Sequence, residues 1–177
     1  MDALTSFTKT INLTDEAFWT LLATAGNESR EPDAVRITAL TNLSSSIAYI
    51  RPEDVERGEH TVALMLDEKF KTAFAAMGRD RSPEFRAKWL YFFGTVTLLI
   101  PAPLTRRLGP AFLPMLLARL TAETNPTAMN EGLLSLNRLL EIKAITSDQV
   151  APTLRRIATA DTDEGIRAMA NEMLLIR

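Results

Sequence analysis

Asp161, Asp163 and Glu172 in "DTDEGIRAMANE" stand at positions 1, 3 and 12 of the spacing with which a calcium loop supplies its oxygen ligands. Such a loop needs glycine at position 6 for its sharp turn, but Ile166 occupies that position, where helix is expected to have begun. The acids are therefore expected to favour a helix N-terminus through its dipole, and no metal is expected. His60 in "GEH" is the single histidine and has no nucleophile beside it in the sequence, so it reads as a solvated residue. Asp67 with Glu68, and Glu53 with Asp54 and Glu56, supply carboxylates, but adjacent acids on a helix point in different directions and face water. The chain has no cysteine, which excludes disulfides, thiolate nucleophiles and cysteine zinc sites. No phosphate loop or dinucleotide glycine motif is present. The residues predict no catalytic group and no cofactor.

The charge balance narrows the partners. A formal net charge of −2 argues against the basic stripe that a phosphate backbone requires, so nucleic acid is not expected. Arginine makes up most of the 20 basic residues, and its planar fork suits protein contacts and fixed ion pairs. The pairs at Arg106–Arg107 and Arg155–Arg156 are too short for a polybasic membrane anchor. "MDALTSFTKTINL" carries neither a secretory nor an organellar pattern, which makes cytoplasm the expected location.

The elements are helices. Apolar residues recur at helical spacing along most of the 177 residues, and no alternating β-branched stretch is bounded by hairpin turns. Ser82 before Pro83, Asn125 before Pro126, and the capping-box spacing of Thr146 and Gln149 mark helix starts. "AGNESREP", "GRDRSP", "IPAP", "TNP" and "ADTDEG" mark breaks. In "SPEFRAKWLYFF", Phe85, Trp89, Phe92 and Phe93 fall on one stripe with Val96 and Ile100, as a buried helix face would. Tyr91 projects the other way, with Ala87, Gly94 and Leu98, so this helix is expected to be central or to touch a partner. The apolar run from Trp89 ends at Pro101, too short to span a bilayer, which takes about twenty residues.

The chain also repeats itself. "AFWTLLATAGNESREPDAVR" (17–36) laid over "AFLPMLLARLTAETNPTAMN" (111–130) aligns Ala, Phe, Leu, Pro and Ala. "KFKTAFAAMGRDRSPEFR" (69–86) and "VAPTLRRIATADTDEGIR" (150–167) fall into the same frame of apolar helix, polar turn and second helix. In that frame Val35, Phe85, Met129 and Ile166 are apolar anchors, followed by Arg36, Arg86, Asn130 and Arg167. The arginines are expected to brace turns through carboxylates such as Asp33, Glu84, Asp161 or Asp163. "RPEDVERGEH" (51–60) is extra material, read as a short added helix or an extended loop.

"PDAVRITAL", "SPEFRAKWL" and "DEGIRAMA", each following an apolar helix, resemble HEAT and armadillo repeats, whose second helix opens with an acid or proline, then an apolar residue and arginine. The resemblance implies an all-α fold, a short right-handed α-solenoid of stacked helical hairpins in one domain, with units of about 14–50, 51–100, 103–143 and 146–177. It also implies that second helices line a surface that holds partners. Projected away from the anchors, that row contains Thr41, Tyr91, Glu131, Ser135, Arg138 and Glu172, joined at the C-terminal end by apolar Leu175 and Ile176. The expected function is a non-enzymatic protein-interaction module, an adaptor or scaffold within a larger complex. Two alternatives share the architecture. One resembles the helical-repeat DNA glycosylases, with Trp19, Trp89, Tyr91 and Asp67 as candidate residues, and the other resembles armadillo-type cochaperones of Hsp70.

Overall fold

The computed structural model describes residues 14–26, 28–48, 50 and 53–175, and every regular element among them is a helix. In order these are α1 (Asp15–Ala25), α2 (Asp33–Ala48), α3 (Val55–Leu66), α4 (Glu68–Met77), α5 (Pro83–Leu99), α6 (Ala102–Ala122), α7 (Pro126–Glu141), α8 (Ser147–Ala160) and α9 (Glu164–Met173). Of the stretch at 51–60, residues 55–60 open the added helix α3, with Asp54 at its N-cap. No helix among the described residues is long and apolar enough to cross a membrane.

Local chemistry sets most boundaries. The side chains of Thr14, Asp67, Ser82, Asn125 and Asp163 each accept a backbone N–H from the first turn of the helix they precede. Thr146 and Gln149 form the expected capping box. Pro83 and Pro126 sit at N1, where the missing N–H has no intrahelical partner to lose. Proline also occurs inside helices, at Pro110 and Pro114 in α6 and at Pro152 in α8, each on an exposed face. Between α3 and α4 a single residue, Asp67, both ends one helix and caps the next.

The helices pack in a simple order. α2, α5, α7 and α9 follow one another, each against the next, with α5 on α7 the most extensive pairing. On the other side α1 touches α4, α3 touches both α4 and α6, and α6 touches α8; α1 with α2, α6 with α7 and α8 with α9 connect the two sets. Phe74 of α4 is the hub of the core. Its ring lies 5.0 Å from Phe70, 5.3 Å from Trp89, 4.7 Å from Phe92, 5.4 Å from Phe93 and 6.0 Å from Phe112, which joins α4 to α5 and α6 through tilted and edge contacts. Trp89 is 1% exposed, and its indole N–H donates to the Phe74 carbonyl at 2.8 Å, so its one polar atom is satisfied inside the core. The whole stripe from Phe85 to Ile100 is buried as its spacing predicts.

At Gly94 and Gly109 close packing depends on a missing side chain. A Cβ at Gly94 of α5 would stand 3.1 Å from Ser135 Oγ of α7. One at Gly109 of α6 would stand 2.8 Å from the carbonyl oxygen and 2.9 Å from the Cβ of Ala144, in the segment after α7. That segment is held from both sides, because Arg106 donates to the Ile142 carbonyl at 3.3 Å and Lys143 takes the left-handed conformation at φ 55°. Gly109→Ala must push backbone against backbone. It is expected to destabilise the protein by about 1–3 kcal/mol in urea unfolding, although alanine is the better helix former by about 1 kcal/mol.

Candidate interaction surface

The turns between paired helices repeat one arrangement of charge. Asp80, Glu123 and Asp161 each precede a helix cap by two residues, and each accepts that cap's backbone N–H: Ser82 at 2.9 Å, Asn125 at 3.0 Å and Asp163 at 2.9 Å. The caps in turn accept N–H groups from Phe85, Ala128 and Ile166. One residue further on, Arg86 donates to the carbonyls of Asp80 and Arg81, both at 2.9 Å, and Arg167 donates to those of Asp161 at 2.9 Å and Thr162 at 3.2 Å. Acid and arginine together satisfy backbone groups on both sides of the turn, which helix ends otherwise leave bare.

These side chains also reach between helix pairs. Arg36 of α2 meets Asp80 of the α4–α5 turn at 2.5 Å, donates to the Ala25 carbonyl at 3.3 Å, pairs with Asp33 at 3.2 Å, and lies 4.4 Å over the Phe85 ring. Arg86 of α5 binds Glu123 of the α6–α7 turn at two points, 2.7 and 2.8 Å. Arg119 adds a third cationic contact to Glu123 at 3.2 Å and donates to the Gly78 carbonyl. Bracing by Arg36 through Asp33 follows the sequence reading. The partner of Arg86 is Glu123, not Glu84, and Arg167 holds carbonyls where a carboxylate was expected.

The caps also correct the repeat register. Asn125 is equivalent to Ser82 and Asp163, which places Ala128 with Phe85 and Ile166, and puts Met129 where Arg86 and Arg167 stand. The sequence alignment was therefore one residue late in the third pair. Val35 is likewise no core anchor. It is 42% exposed, because α2 turns Arg36, Ala39, Leu40 and Leu43 inward.

The outward row on α2, α5, α7 and α9 divides into exposed and buried members. Thr41, Tyr91, Glu172 and Leu175 are exposed, while Glu131 and Arg138 are partly so. Tyr91 is 45% exposed, and Lys88 Nζ lies 4.9 Å from its ring centre. Burial pushes the Glu131 carboxyl above the ordinary carboxylate range, and the nearby Lys88 charge partly opposes this. Arg138 is tied to Glu141 at 3.1 Å, and Thr41 donates to the Ile37 carbonyl within its own helix. Ser135 does not belong to the row. It is 1% exposed and donates to the Leu90 carbonyl at 2.7 Å, drawn into the α5–α7 seam by the close approach at Gly94. Ile176 lies outside the described residues. Leu134, which the sequence reading did not single out, is 42% exposed on α7, one turn beyond Glu131. Its place opposite buried Leu136 was readable from helical spacing.

The remaining candidates for chemistry do not converge. Trp89 is inside the core, so it cannot stack on a base; Asp67 caps α4, and Trp19 lies under Lys69 at 4.5 Å beside an α1–α4 groove of about 760 Å³. His60 is exposed, as expected of a solvated residue, and its Nε2 also meets the exposed Asp15 Oδ1 at 2.6 Å, joining α3 to α1. No cluster of three metal-ligating side chains occurs among the described residues. Asp163 spends a carboxylate oxygen on the Ile166 N–H, and Glu172 belongs to the helix that has already begun at Glu164, so the segment is a capped helix and not a calcium loop. A scan against protein-family models matches no family, and searches of curated proteins and of solved structures find no similar chain.

Burial pushes the Glu123 carboxyl up, but the hydrogen bonds from Arg86, Asn125 and Thr124 and the charge of Arg119 outweigh it and hold the carboxyl at about 2. A depressed folded-state value stabilises the fold above the unfolded value of 4.5, and that contribution disappears as pH falls toward 2. Urea unfolding between pH 6 and pH 2 is expected to show a loss on the order of 3 kcal/mol from this group. Glu123→Gln should remove this acid-limb contribution and cost about 3–5 kcal/mol at pH 7, because Arg86 and Arg119 lose their shared counter-charge.

Proposed function

We propose that this chain is a non-enzymatic protein-interaction module, an adaptor or assembly subunit built as a short right-handed α-solenoid of HEAT/armadillo-like hairpins. Its units are the four helix-pair segments of about 14–50, 51–100, 103–143 and 146–177, with α3 an insertion in the second. The reading is supported by the succession α2, α5, α7, α9, in which each second helix packs on the next, and by arginine and acid recurring at their turns. The observation that carries it is the surface of α5 and α7. Tyr91 and Leu134 expose large apolar area there, beside Lys88 and the half-buried Glu131. An aromatic anchor surrounded by a polar rim is the usual anatomy of an interface. The partner is a protein that offers an apolar side chain between Tyr91 and Leu134 and polar groups to Lys88 and Glu131.

A photo-crosslinking residue at position 91 in the source cell should capture a discrete partner, while the same residue at Arg155 should not. Tyr91→Ala combined with Leu134→Ala is expected to weaken the recovered complex by about tenfold or more, with the thermal midpoint little changed, since both side chains are surface groups. A protein that stays strictly monomeric and yields no crosslink from position 91 would overturn the reading.

A further inference from the structure

The inter-pair charge ladder has two rungs and then stops. From α2 to α5 the rung is Arg36 with Asp80, and from α5 to α7 it is Arg86 with Glu123. From α7 to α9 the equivalent partners would be residue 129 and Asp161, but residue 129 is methionine, buried and without charge. Among the described residues no salt bridge joins α7 to α8 or α9. Arg167 donates within its own turn, to the carbonyls of Asp161 and Thr162. The apolar contact is shorter as well, since α9 has 10 residues against 16 in α7 and 17 in α5.

We infer that the α8–α9 hairpin opens as a cooperative unit of its own, separately from the α1–α7 body. The boundary is sharp because the connecting segment stays with the body. Ala144 is seated against Gly109, Arg106 holds the Ile142 carbonyl, and Ala144 and Ile145 are buried. Opening therefore pivots after Ile145 without drawing α7 out. It uncovers the face of α6 and α7 that the hairpin covers, whereas α5 and α7 remain joined by the Arg86–Glu123 rung and the close approach at Gly94. Arg156 of α8, which donates to the Leu120 carbonyl at 3.2 Å, is the latch on the α6 side.

Native-state hydrogen exchange of the full chain across a urea series tests this directly. Amides of Leu154 to Ile157 and Arg167 to Ala170 should exchange as one group, about tenfold or more faster than those of Leu90 to Phe93 and Leu133 to Leu136, with a shallower urea dependence than global unfolding. Arg156→Met should raise exchange in α8 and α9 several-fold further while leaving α5 amides unchanged. If α8, α9, α5 and α7 share one exchange free energy and one urea slope, or if Arg156→Met accelerates α5 and α8 equally, the hairpin is not a separate unit.

Discussion

The Glu123 carboxylate sits in the turn between α6 and α7 with its side chain wholly removed from water. A buried charge is tolerable only if nearly every direction around it is occupied by a donor, and here Arg86, Arg119 and two backbone N–H groups provide that enclosure. The condition fixes geometry over a long range. Arg86 can meet both oxygens only when the start of α5 lies beside the α6–α7 turn. Once it does, Trp89, Phe92 and Phe93 on the same helix are delivered to the Phe74 cluster. The polar clamp adds direction to an apolar core that by itself has little.

The same placement decides what is left outside. With the aromatic stripe turned inward, the opposite side of α5 presents Ala87, Lys88 and Tyr91, and the tight α5–α7 seam brings Glu131 next to Lys88. Ser135 is consumed in that seam, so the face is narrower than an idealised projection of α7 would give. What remains is a compact patch across two helices, supported beneath by the most extensive helix contact in the molecule.

The helical character, the long breaks, the caps at Ser82 and Asn125 and the burial of the aromatic stripe were legible because each rests on neighbours a few residues apart. Partners distant in sequence were not. Glu123 lies 37 residues from Arg86 and Asp15 lies 45 from His60, and local pattern carries no distance information on that scale. The break at Asp67 was missed because it contains neither glycine nor proline, only a capping carboxylate. Part of the turn chemistry was nevertheless in plain view: acid, any residue, cap recurs as Asp80–Ser82, Glu123–Asn125 and Asp161–Asp163, and would have set the third pair in its proper register. Ser135 illustrates the opposite case, where a polar residue on an expected outer face is buried because a glycine on the neighbouring helix lets the backbones close in.

Pro110, Pro114 and Pro152 have a consequence for which side of the molecule can ever become dry. Each lacks an N–H, so the carbonyls of Arg106, Pro110 and Asp148 lose their ordinary helical donor. All three prolines face solvent on α6 and α8, where water can supply the missing bond. An oily neighbour laid over those carbonyls would strip that water and offer no replacement. The α6–α8 flank is thereby committed to hydration, and the burden of close association shifts to the opposite side of the protein.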